Sequence, residues 1–317
     1  MKKLLIIDGN SIVNRAFYGI RPLSVLGQNG EVIHTNAVYG FLHILLKHLN
    51  ESSPDYVCVA FDVHAPTFRH KMYADYKAHR KPSPPELHPQ FPLVKEVLSA
   101  LKIKTLELAG YEADDIIGTV AKLCDNENIK CEILTGDKDD LQLASDCVTV
   151  KLVITRGGKT ETTDFNADDV QREYGVSPSE FIDVKALMGD ASDNIPGVAG
   201  IGEKTAFSLI SQYKSIENIY NNLDKLSVTP GVFTKLKDGE SSARLSKTLA
   251  TIDVNVPIEF ELNSSVYDIE FDKDKFAEIL TRLNFKKFLM QFELEEAVSA
   301  KESKPSNVVD GEQISFF

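Results

Sequence analysis

Three carboxylates occupy four consecutive positions in Glu112-Ala-Asp-Asp115. The dipole at a helix N-terminus favours negative charge by only about 0.3–1 kcal/mol per group. Because this gain is smaller than the repulsion among three neighbouring acids, the group needs solvent or cations to relieve it. A solvated helix start is the commoner explanation of an isolated acidic turn. Whether this turn is a solvated helix start or part of a cation site therefore depends on the residues that the fold places beside it.

Apolar residues recur at helical spacing after this turn, which predicts an amphipathic helix with one face in a core: Ala113, Ile116, Ile117, Val120, Ala121 and Cys124. Further acids follow predicted strands. Asp8 and Asp62 each end a short apolar run, the pattern of a buried parallel strand. Another predicted strand, over residues 131–135, runs into Asp137 and Asp139. In open α/β sheets the carboxyl ends of such strands form the edge where ligands bind.

The order of these elements predicts the fold and its divisions. Strands alternate with helices over residues 1–175, which predicts an α/β fold with a mostly parallel, Rossmann-like sheet and helices on both faces. Residues 176–292 show helical patterns and predict a second, helical subdomain. Residues 293–317 are polar and predict a flexible tail.

We predict that nine carboxylates converge at the sheet edge: Asp8, Asp62, Glu112, Asp114, Asp115, Asp137, Asp139, Asp190 and Asp193. No His or Cys ligand cluster accompanies them, and all-oxygen sites select Mg²⁺ or Mn²⁺. Two such ions roughly 4 Å apart activate water and stabilise the leaving oxygen of a phosphate ester. The sequence shows no Walker A loop, kinase signature or Ser/His/Asp arrangement. Phosphodiester hydrolysis by two metal ions is therefore the economical inference.

Residues 64–90 contain the most basic stretch, in which cations and aromatics alternate: Phe68, Arg69, Lys71, Tyr73, Tyr76, Lys77, Arg80 and Lys81. This mixture suits a nucleic-acid single strand, whose bases stack on rings while its phosphates pair with cations. A solvated surface is the alternative, although it fits three aromatic residues poorly. Several prolines break the segment, so we expect an excursion outside the sheet. Arg15, Phe17 and Tyr18 add a cation and two rings near the sheet edge.

A glycine-rich turn containing Gly197, Gly200 and Gly202 precedes another predicted helix. Such a turn can present free backbone amides to a phosphate, with Lys204 as a nearby point charge. By itself the pattern is more often an ordinary helix connector. Its position directly after Asp190 and Asp193 makes a functional site the stronger interpretation.

Composition narrows the class of protein. The 317 residues are 43% hydrophobic and carry a formal net charge of -12, which argues against a protein that coats nucleic acid nonspecifically. Nucleic-acid contacts must then come from local patches. No apolar run of about 18 residues and no signal peptide is recognisable, so we expect no membrane contact and a cytoplasmic location.

Together these motifs resemble the 5′-nuclease (flap endonuclease) family, and within it the N-terminal 5′→3′ exonuclease domain of bacterial DNA polymerase I. The resemblance runs from Asp8 to about residue 290. Its motifs are Asp8-Gly-Asn-Ser with Arg15-Ala, Phe61-Asp62, Phe68-Arg69, Tyr76-Lys77-Ala-His79-Arg80, Glu112-Ala-Asp-Asp115, Thr135-Gly-Asp137-Lys-Asp139 and Met188-Gly-Asp190-Ala-Ser-Asp193-Asn-Ile-Pro-Gly-Val.

The resemblance implies a PIN-like fold and a role for each acid. Asp8, Asp62, Glu112 and Asp114 would hold the first metal; Asp137, Asp139 and Asp193 would hold the second, with Asp115 and Asp190 in support. Residues 64–90 are similar to the family's helical arch, through which a 5′ flap passes, and Lys77 and Arg80 would act on the scissile phosphate together with the catalytic Asp114. Residues 188–213 are similar to its helix-three-turn-helix, which grips duplex DNA and holds a potassium ion. The expected DNA-binding residues are Arg15, Phe17, Tyr18, Arg69, Tyr76, Lys77, Arg80, Gly197, Gly200, Gly202 and Lys204.

No polymerase sequence follows, so we expect a stand-alone, monomeric relative associated with the bacterial nucleoid, acting in primer removal, replication and repair on DNA with a 5′ flap, nick or 5′ end. The terminal Gln313-Ile-Ser-Phe-Phe317, with Gln313, Ile314, Phe316 and Phe317 as its contacts, is similar to the bacterial sliding-clamp motif. A frayed terminus is an equally good explanation. Two other functions stay open: a non-catalytic scaffold that binds flap DNA, and a ribonuclease of the related PIN-type fold.

Overall fold

A six-stranded sheet forms the centre of the molecule, and its strands lie side by side in the order 104–106, 56–60, 3–8, 130–135, 148–156 and 159–165. The computed structural model describes residues 1–156, 159–267 and 270–294. The strands are β1 (Lys3–Asp8), β2 (Ser24–Leu26), β3 (Val32–His34), β4 (Tyr56–Ala60), β5 (Lys104–Leu106), β6 (Lys130–Thr135), β7 (Val148–Arg156) and β8 (Lys159–Phe165). All neighbours in the large sheet are parallel except β7 and β8, while β2 and β3 form a separate hairpin. This confirms the predicted, mostly parallel α/β fold.

Helices surround this sheet and dominate the second half of the chain. They are α1 (Gly9–Gly19), α2 (Asn36–Ser52), α3 (Phe68–Met72), α4 (Gln90–Ala100), α5 (Ala113–Asn126), α6 (Ala167–Tyr174), α7 (Pro178–Met188), α8 (Glu203–Tyr213), α9 (Ile216–Asn221), α10 (Pro230–Asp238), α11 (Glu240–Ala250), α12 (Lys273–Arg282) and α13 (Lys286–Gln291). Short 3₁₀ turns lie at Asp139–Leu143, Leu223–Lys225 and Leu262–Ser265.

Both faces of the sheet are buried, as the unbroken apolar run of β1 requires. Successive side chains of a strand point to opposite faces. Leu4 and Ile6 therefore join one core cluster, which includes the buried stripe of α5 and the apolar side of α7. Leu5 and Ile7 join the other, which includes side chains of α1, α2, α4, α12 and α13. The sheet is thus fixed from both sides, and its carboxyl edge is held rigidly.

Local sequence signals set several helix starts. The side chains of Asn166 and Ser177 cap α6 and α7, and Glu180 completes a capping box with Ser177, as their types and spacing indicate. Glu112 caps α5, so its acidic neighbours fall in the first helical turn. Thr35 occupies the cap position of α2, and the side-chain amide of Asn36 donates to the carbonyl of Phe17.

The hairpin formed by β7 and β8 was not predicted from the sequence. The strand β8 reads Lys-Thr-Glu-Thr-Thr-Asp-Phe and offers almost no apolar residues that would reveal a strand. Its pairing with β7 supplies the backbone hydrogen bonds, so tertiary context decides its structure.

Residues 64–90 leave the sheet after β4 as predicted, but they are not all outside the core. They contain the short helix α3 followed by turns rather than long helices. Tyr76 packs with Ile195, Leu249 and Ala250 in a small third core cluster. The backbone amide of Lys77 donates to the carbonyl of Asp193 at 2.9 Å. The segment thus bridges the sheet and the helical part, and it borders the cleft between them.

No helix among the described residues is long and apolar enough to cross a membrane. The predicted motif formed by Gln313, Ile314, Phe316 and Phe317 lies outside the described residues.

Candidate metal and nucleic-acid site

The carboxylates of Asp8, Asp114 and Asp140 form the densest acidic cluster of the described chain, with one oxygen from each lying within 4.8 Å of the others. Asp8 ends β1 and caps α1, where it accepts a hydrogen bond from the Ser11 amide at 2.9 Å. Asp114 lies in the first turn of α5, and Asp140 lies in the 3₁₀ turn that follows β6. Three elements that end or begin at the same sheet edge thus deliver this cluster.

A cleft of about 1340 Å³ opens at this edge. Six of the predicted acids line it: Asp8, Asp62, Glu112, Asp114, Asp137 and Asp193. The Asp62 carboxylate accepts a hydrogen bond from the Ala113 amide at 2.8 Å, which joins the end of β4 to the start of α5. The topology therefore gathers acids that are separated by as many as 185 positions of the sequence into one cleft.

Asp139 and Asp190 form a second group beside the first. Both pair with the ammonium group of Lys185, whose nitrogen lies 2.6 Å from Asp139. Asp137 connects the two groups, because its carboxylate accepts a hydrogen bond from the Asp139 amide at 2.9 Å. Asp139 and Asp190 are thus adjacent to the cleft without lining it.

Asp115 does not line the cleft, and its predicted role in supporting an ion stays a prediction. Its side chain has no exposed surface. One carboxylate oxygen accepts from Arg69 at 2.7 Å and from the Asp253 amide, while the other accepts from Arg69 at 2.8 Å and from the Glu112 amide. These four hydrogen bonds occupy both oxygens, and Asp115 holds the start of α5 in place.

Arg69 and Tyr76, which were predicted to contact DNA, are both buried. Each side chain is only 3% exposed. Arg69 donates to Asp115, Glu112 and the carbonyl oxygens of Leu249 and Thr251. The Tyr76 hydroxyl lies 3.0 Å from Glu112 and 3.2 Å from an oxygen of Asp193. The alternating cations and aromatic rings of this segment are therefore not all on the surface, since Arg69 and Tyr76 donate hydrogen bonds to buried acids.

Lys77 and Arg80 remain at the cleft. The Lys77 ammonium lies 2.7 Å from Glu112 and 3.7 Å from Asp193, and the half-exposed Arg80 pairs with Asp193. Both residues line the cleft together with the acids. A phosphate entering here would meet two cations above a floor of carboxylates.

Crowding changes the acidity of the cluster. Burial raises the pKa of Asp8 to about 7 and that of Asp139 to about 6. Burial also raises the pKa of Asp114 and Asp140 well above the usual range, and the charges of their acidic neighbours add to this effect. Full ionisation of the cluster therefore needs cations.

Sequence reasoning missed Asp140. Its side chain has no exposed surface, and neither of its oxygens meets a hydrogen-bond donor within the described parts of the chain. Its place in the acidic run after β6 was visible, but an aspartate in a turn is ordinarily solvated. Only the burial of the turn shows that this carboxylate points inward.

Arg15, Phe17 and Tyr18 lie on α1, at the same edge of the sheet. The Arg15 guanidinium donates to the Gly136 carbonyl at 3.0 Å and lines the cleft beside Asp8. Tyr18 is 70% exposed, whereas Phe17 is half-buried and meets the Tyr18 ring edge-on at 5.2 Å. Tyr18 is thus the ring that a base could reach, and Phe17 supports it.

The glycine turn joins α7 to α8. Gly197 has a φ of 61°, and a Cβ there would lie 2.3 Å from the backbone nitrogen of Gly189. Gly200 also has a positive φ, of 79°, while Gly202 caps α8 and Lys204 is exposed in its first turn. The turn therefore favours glycine at positions 197 and 200, and it presents a cation next to the amides of a helix start.

A mostly parallel sheet with carboxylates gathered at its carboxyl edge, opposite two cations, defines the class of nucleases that act with divalent ions. The chain belongs to the 5′-3′ exonuclease family. Residues 3–175 match the family's N-terminal resolvase-like domain, and residues 176–273 match its C-terminal SAM-fold domain. The resemblance drawn from the sequence motifs is therefore confirmed.

Relatives and solved structures agree with this assignment. DNA polymerase I of Caldicellulosiruptor bescii is 44% identical over 296 residues, covering 93% of this chain and 34% of that protein. The chain thus spans about a third of the length of the curated relatives that it matches. The T5 5′-exonuclease with bound zinc ions shares the fold, with a TM-score of 0.63 at 21% identity over 92% of this chain and 99% of that one. The Rad2 catalytic core in complex with a DNA substrate has a TM-score of 0.61 at 16% identity, covering 92% of this chain and 93% of that one.

Proposed function

We propose that this chain is a structure-specific 5′→3′ exonuclease and 5′-flap endonuclease that hydrolyses DNA phosphodiesters with two divalent ions. The observation that carries the proposal is the cleft in which six acids face Lys77 and Arg80. Family membership supplies the reaction class. The chain would act as a monomer in the bacterial cytoplasm, at the nucleoid, on primer-derived and repair intermediates.

The donor set fits Mg²⁺ or Mn²⁺, because the clustered side chains that could hold an ion are all carboxylates. Asp8, Asp62, Glu112 and Asp114 would hold one ion; Asp137, Asp139 and Asp193 would hold the other, with Asp190 in support. When bound, the two ions supply an activated water and stabilise the leaving oxygen. Asp115 orients this set through Arg69 and the amide of Glu112.

Lys77 and Arg80 would bind the scissile phosphate and orient it above the acids. In the structure both cations pair with the acids that the ions need, Lys77 with Glu112 and Arg80 with Asp193. A phosphate can take over these cations, since ammonium and guanidinium groups bind phosphate oxygens as readily as carboxylate oxygens. Substrate and ions would then replace the present pairs together.

We divide the work between residues 1–175, which would contain the nuclease core with the arch at residues 64–90, and residues 176–292, which would bind the duplex. The turn at residues 188–213 would hold the DNA backbone through its amides, through Lys204 and through a potassium ion. Tyr18 and Arg15 would contact the strand at the cleft. The tail at residues 293–317 would bind a sliding clamp through Gln313, Ile314, Phe316 and Phe317.

The decisive experiment is cleavage of a 5′-labelled double-flap DNA with Mg²⁺, with Mn²⁺ and with chelator. Asp114→Asn removes an acid of the cluster, while Asp146→Asn removes an exposed acid elsewhere as a matched control. We expect cutting near the flap junction that needs metal, falls at least about 100-fold in Asp114→Asn and is unchanged in Asp146→Asn. Tight DNA binding without cutting would favour a scaffold, and faster cutting of single-stranded RNA would favour a ribonuclease.

The role of the tail has its own test. In a pull-down with a bacterial sliding clamp, we expect the double substitution Phe316→Ala and Phe317→Ala to abolish capture while flap cleavage in solution stays unchanged. Equal capture of both proteins would show that the terminal motif does not bind the clamp.

A further inference from the structure

Asp140 lies below the floor of the cleft, in the 3₁₀ turn Asp139–Leu143, with no exposed surface. One of its carboxylate oxygens lies within 4.8 Å of oxygens from Asp8 and Asp114. The next residue, Leu141, is fully buried in the core, so the turn is anchored and cannot swing Asp140 out to solvent. The carboxylate is therefore held facing the other two acids.

Several other acids of the predicted set have partners in the structure. Asp139 pairs with Lys185 at 2.6 Å, Asp193 pairs with Lys77 and Arg80, and Asp8 accepts from Ser11 and Thr135. By contrast, both oxygens of Asp140 lack a hydrogen-bond donor within the described parts of the chain, because the nearby Thr135 hydroxyl donates to Asp8, and no basic side chain there pairs with Asp140. A buried carboxylate without a partner is strongly unfavourable, so this position requires either a proton or a cation.

A divalent cation satisfies the geometry better than a proton does. Three carboxylates that face one space carry up to three negative charges, and one proton removes only one of them. A divalent ion offsets two charges and also provides the positive partner that both oxygens of Asp140 lack. Asp140 is thus placed as a ligand of an ion shared with Asp8 and Asp114, or as an acceptor for a water bound to it.

We propose that Asp140 is a further carboxylate of the divalent-ion site formed with Asp8 and Asp114, and that it strengthens ion binding there. This inference rests on the proposed function, because it assumes that ions occupy the cleft. It adds an acid to the set that the family resemblance implies for this site, which contains Asp8, Asp62, Glu112 and Asp114. The ion site of this chain would therefore be more strongly anionic than that set alone.

The first test is a titration of the full chain with Mn²⁺ alone, in which free Mn²⁺ is followed by electron paramagnetic resonance. Asp140→Asn keeps the shape of the side chain and removes its charge. We expect Mn²⁺ binding to weaken about 10- to 100-fold at one site, as for other residues that support metal ligands. Asp146→Asn, which removes an exposed acid from the loop before β7, is expected to bind Mn²⁺ as the unchanged chain does.

The second test separates an ion-binding role from a merely structural one. With chelator present, Asp140→Asn and Asp140→Leu are expected to melt at a higher temperature than the unchanged chain, since each removes a buried carboxyl group that has no hydrogen-bond donor and that crowds Asp8 and Asp114. Mn²⁺ is expected to raise the melting temperature of both variants by less than it raises that of the unchanged chain. Asp140→Leu also keeps the test available if Asp140→Asn does not fold, because it has a similar size and buries no polar atom.

Two results would contradict the inference at different levels. In the first, both Asp140 variants bind Mn²⁺ as tightly as the unchanged chain and show the same Mn²⁺-induced rise in melting temperature. This result would overturn the role of Asp140 and leave the proposed nuclease intact. An unchanged chain that binds no Mn²⁺ and cuts no flap DNA would overturn the proposed function as well.

Discussion

Arg69 and Asp115 form a buried ion pair joined by two hydrogen bonds, of 2.7 and 2.8 Å, beneath the acidic cleft. The pair also connects distant elements, because Arg69 lies on α3, Asp115 on α5 and the carbonyl acceptors of Arg69 at the end of α11. Residues that sequence motifs assign to DNA and metal thus hold the frame of the site. Their individual contributions can be measured.

Removing Arg69 is expected to destabilise the fold rather than weaken DNA contacts. In Arg69→Met the carboxylate of Asp115 stays buried without its cation, which costs about 3–5 kcal/mol of the free energy of unfolding. Urea denaturation measures this loss. Arg244→Met, which breaks an exposed pair with Glu240 four residues away, is the control and should cost no more than about 0.5 kcal/mol. If Arg69→Met lowered the free energy of unfolding by less than about 1 kcal/mol and weakened DNA binding, Arg69 would be a DNA contact instead.

The raised pKa of Asp8 predicts how stability depends on pH when ions are removed by chelator. Its pKa is about 7 in the folded chain against a usual value of 3.8, so the folded state binds more protons than the unfolded state within that range. The stabilisation from this group is complete below pH 3.8 and is lost as the pH rises towards 7. We expect the free energy of unfolding of the unchanged chain, relative to Asp8→Asn, to fall by about 1–2 kcal/mol from pH 5.5 to 7.

This comparison with Asp8→Asn removes the contributions of His43 and His48. Burial lowers the pKa of both imidazoles, so their effect on stability has the opposite sign and is common to the two proteins. Urea denaturation at several pH values provides the measurement. A difference between the two proteins that stays constant with pH would show that Asp8 is ionised throughout.

At the scale of elements, the turn between α7 and α8 depends on one close backbone approach. The φ of Gly197 is positive, and its backbone amide donates a hydrogen bond to the Ser246 hydroxyl. A Cβ at this position would lie 2.3 Å from the backbone nitrogen of Gly189. Asp190 and Ile195 pair through two backbone hydrogen bonds inside the same turn. The turn therefore fixes Asp190 and Asp193 relative to the cleft.

Gly197→Ala is expected to lower the free energy of unfolding by at least about 2 kcal/mol and to impair flap cleavage. Gly231→Ala is the matched control, because Gly231 lies in α10 and a Cβ there meets nothing within 4 Å. We expect this control to change stability by no more than about 0.5 kcal/mol and to keep cleavage. Chemical denaturation and flap cleavage of both variants check the prediction, which fails if the two behave alike.

At the scale of the whole molecule, a chain with a net charge of -12 must bind DNA through local cationic surface. Lys204 at the start of α8 and Lys235, whose ammonium donates to the Gly200 carbonyl, are both exposed at the glycine turn. Lys77 and Arg80 lie at the cleft. Two separate basic patches on an acidic protein predict binding that is limited to DNA geometries reaching both.

Salt dependence tests this view of the surface. Lys204→Ala is expected to weaken binding of duplex DNA in chelator to a similar extent for all sequences, and to reduce the slope of log K against log salt by about 1. Lys47→Ala, on α2 at the opposite face of the sheet, removes an exposed cation as a control and should leave the slope unchanged. An unchanged slope in Lys204→Ala, measured by fluorescence anisotropy, would place the duplex elsewhere.

The amino-acid sequence by itself determined those features that depend on neighbours along the chain. The apolar runs of β1, β4 and β6, the stripe of α5 and the caps of α6 and α7 follow from period and residue type, and so does the placing of Asp8, Asp62 and Asp137 at strand ends. The family motifs gave the class of protein for the same reason, since each is a short local string.

Only the tertiary structure decided what depends on burial between distant segments. Arg69 and Tyr76 have the composition of a surface patch, yet contacts with α5 and α11 bury them. Asp115 turns to Arg69 while its neighbour Asp114 faces the cleft, and Asp140 is aimed inward by a turn whose next residue enters the core. Adjacent residues with the same side chain thus differ in role because the direction of a side chain and its desolvation are set by packing, which no local pattern encodes.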